Sequence, residues 1–162
     1  MLAPLSRREL LLNGALLVGG GCLCHRTRGA DAKSTCCSTP DLAPESLTFT
    51  GQTVTVDLAR NPCLADVGDA AFLVRPDPPL ELIVVHAAPN RYVALSRACT
   101  HGGQVLSYAR RRGVLICNNF NHSIFDLDGK VVKGPAASPL ASYPAALKGG
   151  QLEISLPTQS VS

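Results

Sequence analysis

No apolar repeat of helical period lasts three turns anywhere in this 162-residue chain. Apolar and β-branched residues come in short runs instead: Leu47–Thr50, Thr53–Leu58, Ala71–Val74, Leu82–Val85 and Tyr92–Leu95. Val105–Tyr108, Val114–Cys117, Ile124–Leu127, Lys130–Val132 and Gln151–Ser155 follow. Gly, Pro, Asn or Asp bounds each run, and these residues supply the backbone angles of turns. The 14 Gly and 12 Pro point the same way, because a helical bundle tolerates few of either. The fold class is all-β, a small antiparallel sandwich or barrel of about ten strands. Asp128-Gly129 signals a hairpin whose two central positions take positive φ. Arg110–Gly113 and Lys148–Gly150 are expected as two further hairpin tips. No internal repeat is present.

The first 32 residues read as an address. Ser6-Arg7-Arg8 precedes an uncharged stretch, Leu10–Leu23, and then Arg26, Arg28 and Ala30-Asp31-Ala32. A charged start, an apolar middle and a small-residue end are the three parts of an export signal, and adjacent arginines indicate the twin-arginine route. That route carries folded proteins, often with a cofactor inserted. The 14 uncharged residues fall short of the roughly 20 that span a bilayer as a helix. Periplasmic localisation is expected, with the protein either released or tethered to the outer face of the inner membrane. Residues 33–46 read as a linker, 47–157 as one domain and 158–162 as a tail.

Charge removes one class of partner. The whole net charge of +3 sits in residues 1–33, which hold five Lys and Arg against two Asp and Glu. The rest of the chain sums to zero, so it lacks the basic footprint of nucleic-acid binding.

Chemistry concentrates in two segments. One is Cys99-Thr100-His101-Gly102-Gly103, and the other runs from Cys117 through Asn118, Asn119, Phe120 and Asn121 to His122 and Ser123. Fifteen residues separate His101 from Cys117, enough for a strand, a hairpin tip and a returning strand. Two thiolates and two imidazoles would then meet at one end of a hairpin. A single Zn²⁺ accepts such a set, and so does a [2Fe–2S] cluster with two Cys on one iron and two His on the other. Zinc sites usually place two or more residues between paired ligands, whereas Thr100 alone separates Cys99 from His101. A lone buried Cys is more often core than ligand, and a lone His in a Gly-rich turn is more often solvated. The pairing of the two segments argues for metal.

These motifs resemble those of the Rieske iron–sulfur family. Cys99-Thr100-His101 with its glycines is similar to the first half of the family motif, and Ser123-Ile124-Phe125-Asp126 to the end of the second. Gly134, Pro135, Ala136, Pro139, Leu140 and Tyr143 resemble the proline-containing loop that covers the cluster. The resemblance spans residues 47–156 and implies one [2Fe–2S] cluster per chain on Cys99, His101, Cys117 and His122. The spacing of the second pair departs from the family pattern, in which two residues rather than four separate Cys and His. Counted back from Phe125-Asp126, the family's ligand positions fall on Asn118 and Asn121, neither of which suits a soft iron centre. Either the loop is remodelled so that Cys117 and His122 still reach the iron, or the site has lost its cluster.

The resemblance implies a one-electron carrier, an electron-transfer component and not a stand-alone enzyme. Such centres span about −150 to +300 mV. Ser123 is expected to donate to a cluster sulfur, whereas Phe125, where high-potential relatives often carry Tyr, cannot donate. The implied partner is a quinol- or cytochrome-linked redox complex. The alternatives are a small electron-transfer subunit of a periplasmic oxidase, a cluster-free binding module and a zinc-stapled domain. An oxygenase catalytic subunit needs further histidines and a second domain. The extra cysteines that staple the cluster loops in cytochrome bc relatives would fall near Gln104 and Asn119, so that disulfide is absent. Cys63 can pair instead with Cys36 or Cys37, a choice that sequence leaves open. His86 is expected to cap its strand at the surface, and the arginines at 110–112 to form a solvated tip.

Overall fold

Strand β4 (Leu80–Ala88) is the hinge of the architecture, because it is buried on both faces. The computed structural model describes residues 39–120 and 122–157. Within them, β4 lies in a sheet ordered β10-β5-β4-β3, with β3 at Ala70–Arg75, β5 at Arg91–Ser96 and β10 at Ser142–Tyr143. Successive side chains of a strand point to opposite faces. Leu82 and Val84 therefore join Ala71, Leu73 and Ala94 in one core, while Ile83 and Val85 join Ala70, Phe72 and Leu95 in another. That double burial explains why Leu82–Val85 shows no polar alternation. Each such side chain contributes about 1.5–3 kcal/mol by leaving water.

A second sheet, β1-β2-β12-β11, closes the first core. Its strands are Leu47–Thr50 (β1), Thr53–Asp57 (β2), Ala145–Lys148 (β11) and Gln151–Ser155 (β12). Val54, Val56, Leu152 and Ile154 are its buried face. A third sheet, β6-β7-β8-β9, closes the other core with Leu106, Leu115, Cys117 and Phe125. It comprises Leu106–Ala109 (β6), Val114–Cys117 (β7), Ile124–Phe125 (β8) and Val131–Lys133 (β9). All strand pairs are antiparallel. Among the described residues the only helical segments are three single 3-10 turns. The all-β expectation holds.

Local details differ from the sequence reading. β10 and β11 were not anticipated, because Ser142–Lys148 is rich in Ala and interrupted by Pro144, a weak strand composition. Pairing with β5 and β12 creates them. The turn after β8 is longer than the tight Asp-Gly hairpin, and only Gly129 of the pair has positive φ. The Asp126 carboxylate accepts from the amides of Asp128 and Lys130 at 3.0 and 2.8 Å and so supplies bonds a shorter turn would make. The tips at Gly113 and at Gly149-Gly150 do take positive φ.

Part of the segment read as a linker packs on the domain. Phe72 donates its amide to Pro40 O and accepts from Leu42 N, both at 2.8 Å, and Leu42 is buried. Buried Asn61 fixes the following turn by donating to Ser46 Oγ and to Asp57 O. His86 does not cap the surface. It is buried, stacks on Tyr92 at 4.3 Å, and directs Nδ1 at the Leu64 carbonyl. The strand continues to Ala88, which carries His86 into the interior. The segment read as an export signal, Cys22, Cys24, Cys36, Cys37 and the tail lie outside the described residues, so the pairing of Cys63 is an expectation only.

Candidate metal centre

Two loops at one end of the third sheet carry the donor residues. The first leaves β5, and its backbone closes through Cys99 N to Gln104 O and Gly103 N to Cys99 O, both 2.8 Å. Gly103 has φ +70, which glycine adopts without the steric cost of a Cβ. The second loop joins β7 to β8. Cys117 N donates to Ser123 O at 2.8 Å across its base, and Asn118 N donates to Val105 O at 3.2 Å, which ties the second loop to the first.

The loops bring three donors together. The ligand atoms of Cys99, His101 and Cys117 lie within 4.8 Å of one another. Cys99 Sγ is 3.5 Å from His101 Nδ1, so the inner nitrogen of the ring faces the sulfurs. Both sulfurs are buried, and the ring is half-buried. Burial pushes the Cys117 thiol above its ordinary value, and contact with Cys99 adds to the rise. Hydrogen bonds from the backbone at Asn119 and Ser123 act in the opposite direction. Two sulfurs in contact, served by backbone donors and faced by an imidazole nitrogen, are a soft donor set.

His122 stands differently. Its ring is exposed, its Nδ1 lies 2.9 Å from the Cys117 carbonyl, and its φ is +30. It occupies the point where the second loop reverses into Ser123, and it is not among the three converging donors. Asn118 is also outside the group: its Oδ1 accepts from Ser107 Oγ at 2.8 Å on the surface. Cys117, not Asn118, therefore presents the donor atom of the second loop.

A third segment braces both loops. Ser123 is fully buried, and its Oγ accepts from Ala136 N at 3.2 Å. Thr100 Oγ1 donates to Ser138 O at 2.7 Å. Gly134 and Pro135 are exposed, whereas Ala136 and Leu140 are buried in the same core as Cys99, Cys117 and Phe125. Asn119 was missed by the sequence reading. Its Oδ1 accepts from Phe120 N at 2.6 Å, which leaves Nδ2 facing His101 Nε2 at 3.4 Å. No spacing pattern signals such a contact, because it depends on how the loop folds back.

The sequence profile of the Rieske [2Fe-2S] domain matches residues 43–144, which include both donor loops and every strand from β1 to β10. The chain belongs to the Rieske [2Fe-2S] domain family. Among solved structures 21 chains match. One is the cyanobacterial plasma membrane Rieske protein PetC3 from Synechocystis PCC 6803, 24% identical, with a TM-score of 0.47. The match covers 52% of this chain and 84% of that one. No curated protein matches.

The cofactor of a Rieske domain is a [2Fe-2S] cluster, and Cys99, His101 and Cys117 form its candidate ligand group here. The donor chemistry fits, since sulfur and imidazole nitrogen are the two ligand types of such a centre. The domain is a Rieske-type electron carrier.

Proposed function

We propose that this Rieske domain is the iron–sulfur component of an exported redox complex, a quinol–cytochrome oxidoreductase or a periplasmic oxidase. In this reading the twin-arginine segment carries the folded, loaded protein across the membrane and either releases it or keeps it at the outer face. The observation that carries the reading is the convergence of Cys99, His101 and Cys117 within 4.8 Å. When bound, the cluster supplies one-electron chemistry, with a potential raised by imidazole ligands over an all-thiolate centre.

The chain's own residues do the rest. Cys99 and Cys117 would hold the cluster through their sulfurs and His101 through its Nδ1, the ring nitrogen that faces them. His122 is the fourth ligand in this proposal, reached when its ring turns from the Cys117 carbonyl. Ser123 tunes the site from a buried position, and the 134–140 segment keeps water from the sulfurs.

Absorbance and low-temperature EPR of anaerobically purified full-length protein test the reading. A brown protein whose average g value lies below 2 is expected. A colourless protein holding one Zn²⁺ per chain overturns it and leaves a Cys₂His zinc site. For the fourth ligand, His122→Ala is expected to abolish the Rieske EPR signature, and an unchanged spectrum removes His122 from the ligand set.

A further inference from the structure

The outward face of the third sheet carries a groove of about 550 Å³, and of its lining residues the proposed cluster draws on His122 alone. Arg112, Ile116, Phe120, His122, Ile124 and Lys133 line it. Ile116 pairs with Ile124 across β7 and β8, and Ile124 with Lys133 across β8 and β9, so these three stand in one row. Arg112 enters from the β6–β7 turn, and Phe120 and His122 from the second donor loop. No lining residue is acidic. Among the described residues neither Arg112 nor Lys133 has an ion-pair partner, whereas neighbouring Arg110 is held by Asp69 at 2.8 Å. Phe120 is 93% exposed, the most exposed large apolar side chain described.

We propose that this groove docks an acidic electron-transfer partner protein, with Phe120 as the anchor and Arg112 and Lys133 as the charges that orient it. The inference rests on the electron-carrier reading and adds the chemistry of the partner. Two unpaired cations around an apolar floor complement an acidic surface with an apolar ridge. The protruding ring selects a macromolecule, because a small anion lying on the two isoleucines would leave Phe120 in water. A pocket on a protein can cover it, and buried aromatics dominate such interfaces. A flat bilayer surface would not fill the concave floor. The chain's own N-terminal segment carries five basic residues against two acidic ones over 1–33, so the groove's cations repel it. The groove shares the loop that holds Cys117, which sets its occupant beside the donor group.

Cytochrome c made anionic by succinylation is a suitable probe, with the native cationic cytochrome as its control. Each is titrated into full-length protein labelled at isoleucine methyls. The expected result is a shift at Ile116 and Ile124 with the anionic probe alone. Arg112→Glu with Lys133→Glu weakens binding at least tenfold, Phe120→Ala weakens it severalfold, and added salt weakens it further. Arg112→Gln with Lys133→Gln gives a smaller loss and guards against misfolding of the reversal variant, with circular dichroism as the check. Equal response to both cytochromes, shifts elsewhere, or affinity untouched by the charge changes overturns the proposal. So do shifts with phosphatidylglycerol vesicles and none with the anionic cytochrome, which assigns the face to a membrane. EPR of the same sample reads the cluster separately. A sample without a cluster that still binds through Ile116 and Ile124 supports the docking surface and overturns the carrier reading.

Discussion

Gly134 lies so close to Ser123 that a Cβ on it would stand 2.5 Å from the Ser123 Cα and 2.8 Å from the His122 carbonyl oxygen. Both atoms are backbone, so neither can swing aside. The φ of +106 is a second obstacle, since side chains are rarely tolerated there. The contact presses the end of β9 against the second donor loop at the residue that returns the chain to β8.

Gly134→Ala is therefore expected to cost of the order of 2–4 kcal/mol, combining backbone strain with overpacking. Thermal melting measures the loss of stability, and visible absorbance the loss of cluster. Alanine tolerated with an unchanged melting temperature and full colour would falsify the assignment of Gly134 as the brace of this loop.

The fold was legible because its apolar runs are short and sharply punctuated, and because β4 is apolar on both faces. The first donor loop was legible for a similar reason, since Cys99 and His101 are fixed by a local spacing that survives folding. The second loop was legible at Cys117, which reaches the donor group, and not at His122. Its ligand positions depend on where the chain reverses, and His122 takes a positive φ that no residue pattern announces. His86 was misplaced because a polar residue at the end of an apolar run resembles a cap. Stacking on Tyr92 and the Leu64 carbonyl make its burial possible, and both partners are distant in sequence.

Thr100→Val removes the hydrogen bond from the first donor loop to Ser138 O while keeping the shape of the side chain. The loss of one such bond is worth about 1 kcal/mol, which lowers the melting temperature by about 3 °C in a domain of this size. Amide exchange at Ala136 and Ala137 should accelerate, because Ser138 is then released between the tie of Ala136 N to Ser123 and that of Leu140 N to Gly129 O. Unchanged exchange there would show that the tie to Thr100 does not hold the segment.

Alkaline stability follows from the tyrosines. Burial, and after it the charge of Asp69, raises the Tyr92 phenol above its ordinary value of 10.0. Burial raises Tyr108 as well; Arg110 opposes the rise and Asp69 adds to it. A phenol with a raised value stays protonated in the fold after the unfolded chain has ionised. Its contribution is thus complete below about pH 10 and is lost as pH climbs through the folded value. Tyr92 also donates to Leu64 O at 3.2 Å, a bond its phenolate cannot make. Denaturation midpoints should fall as pH rises past 10, and less steeply in Tyr92→Phe. Parallel profiles for the two proteins would contradict the role given to Tyr92.

Ser123 offers a sharper test of electrostatic tuning than any ligand substitution, because its removal leaves the donor set intact. The hydroxyl is wholly buried, and its oxygen accepts from Ala136 N, which leaves its proton available to a cluster sulfur. A donor at sulfur stabilises the reduced, more negative state and raises the potential. Ser123→Ala removes that donor and orphans the Ala136 amide. A hydrogen bond worth about 1.4 kcal/mol to the reduced state corresponds to about 60 mV for one electron, so a fall of that order is expected. The structural loss alone would lower the melting temperature and leave the potential in place. A redox titration beside a melting curve separates the two, and an unshifted potential would place the serine's role in the brace alone.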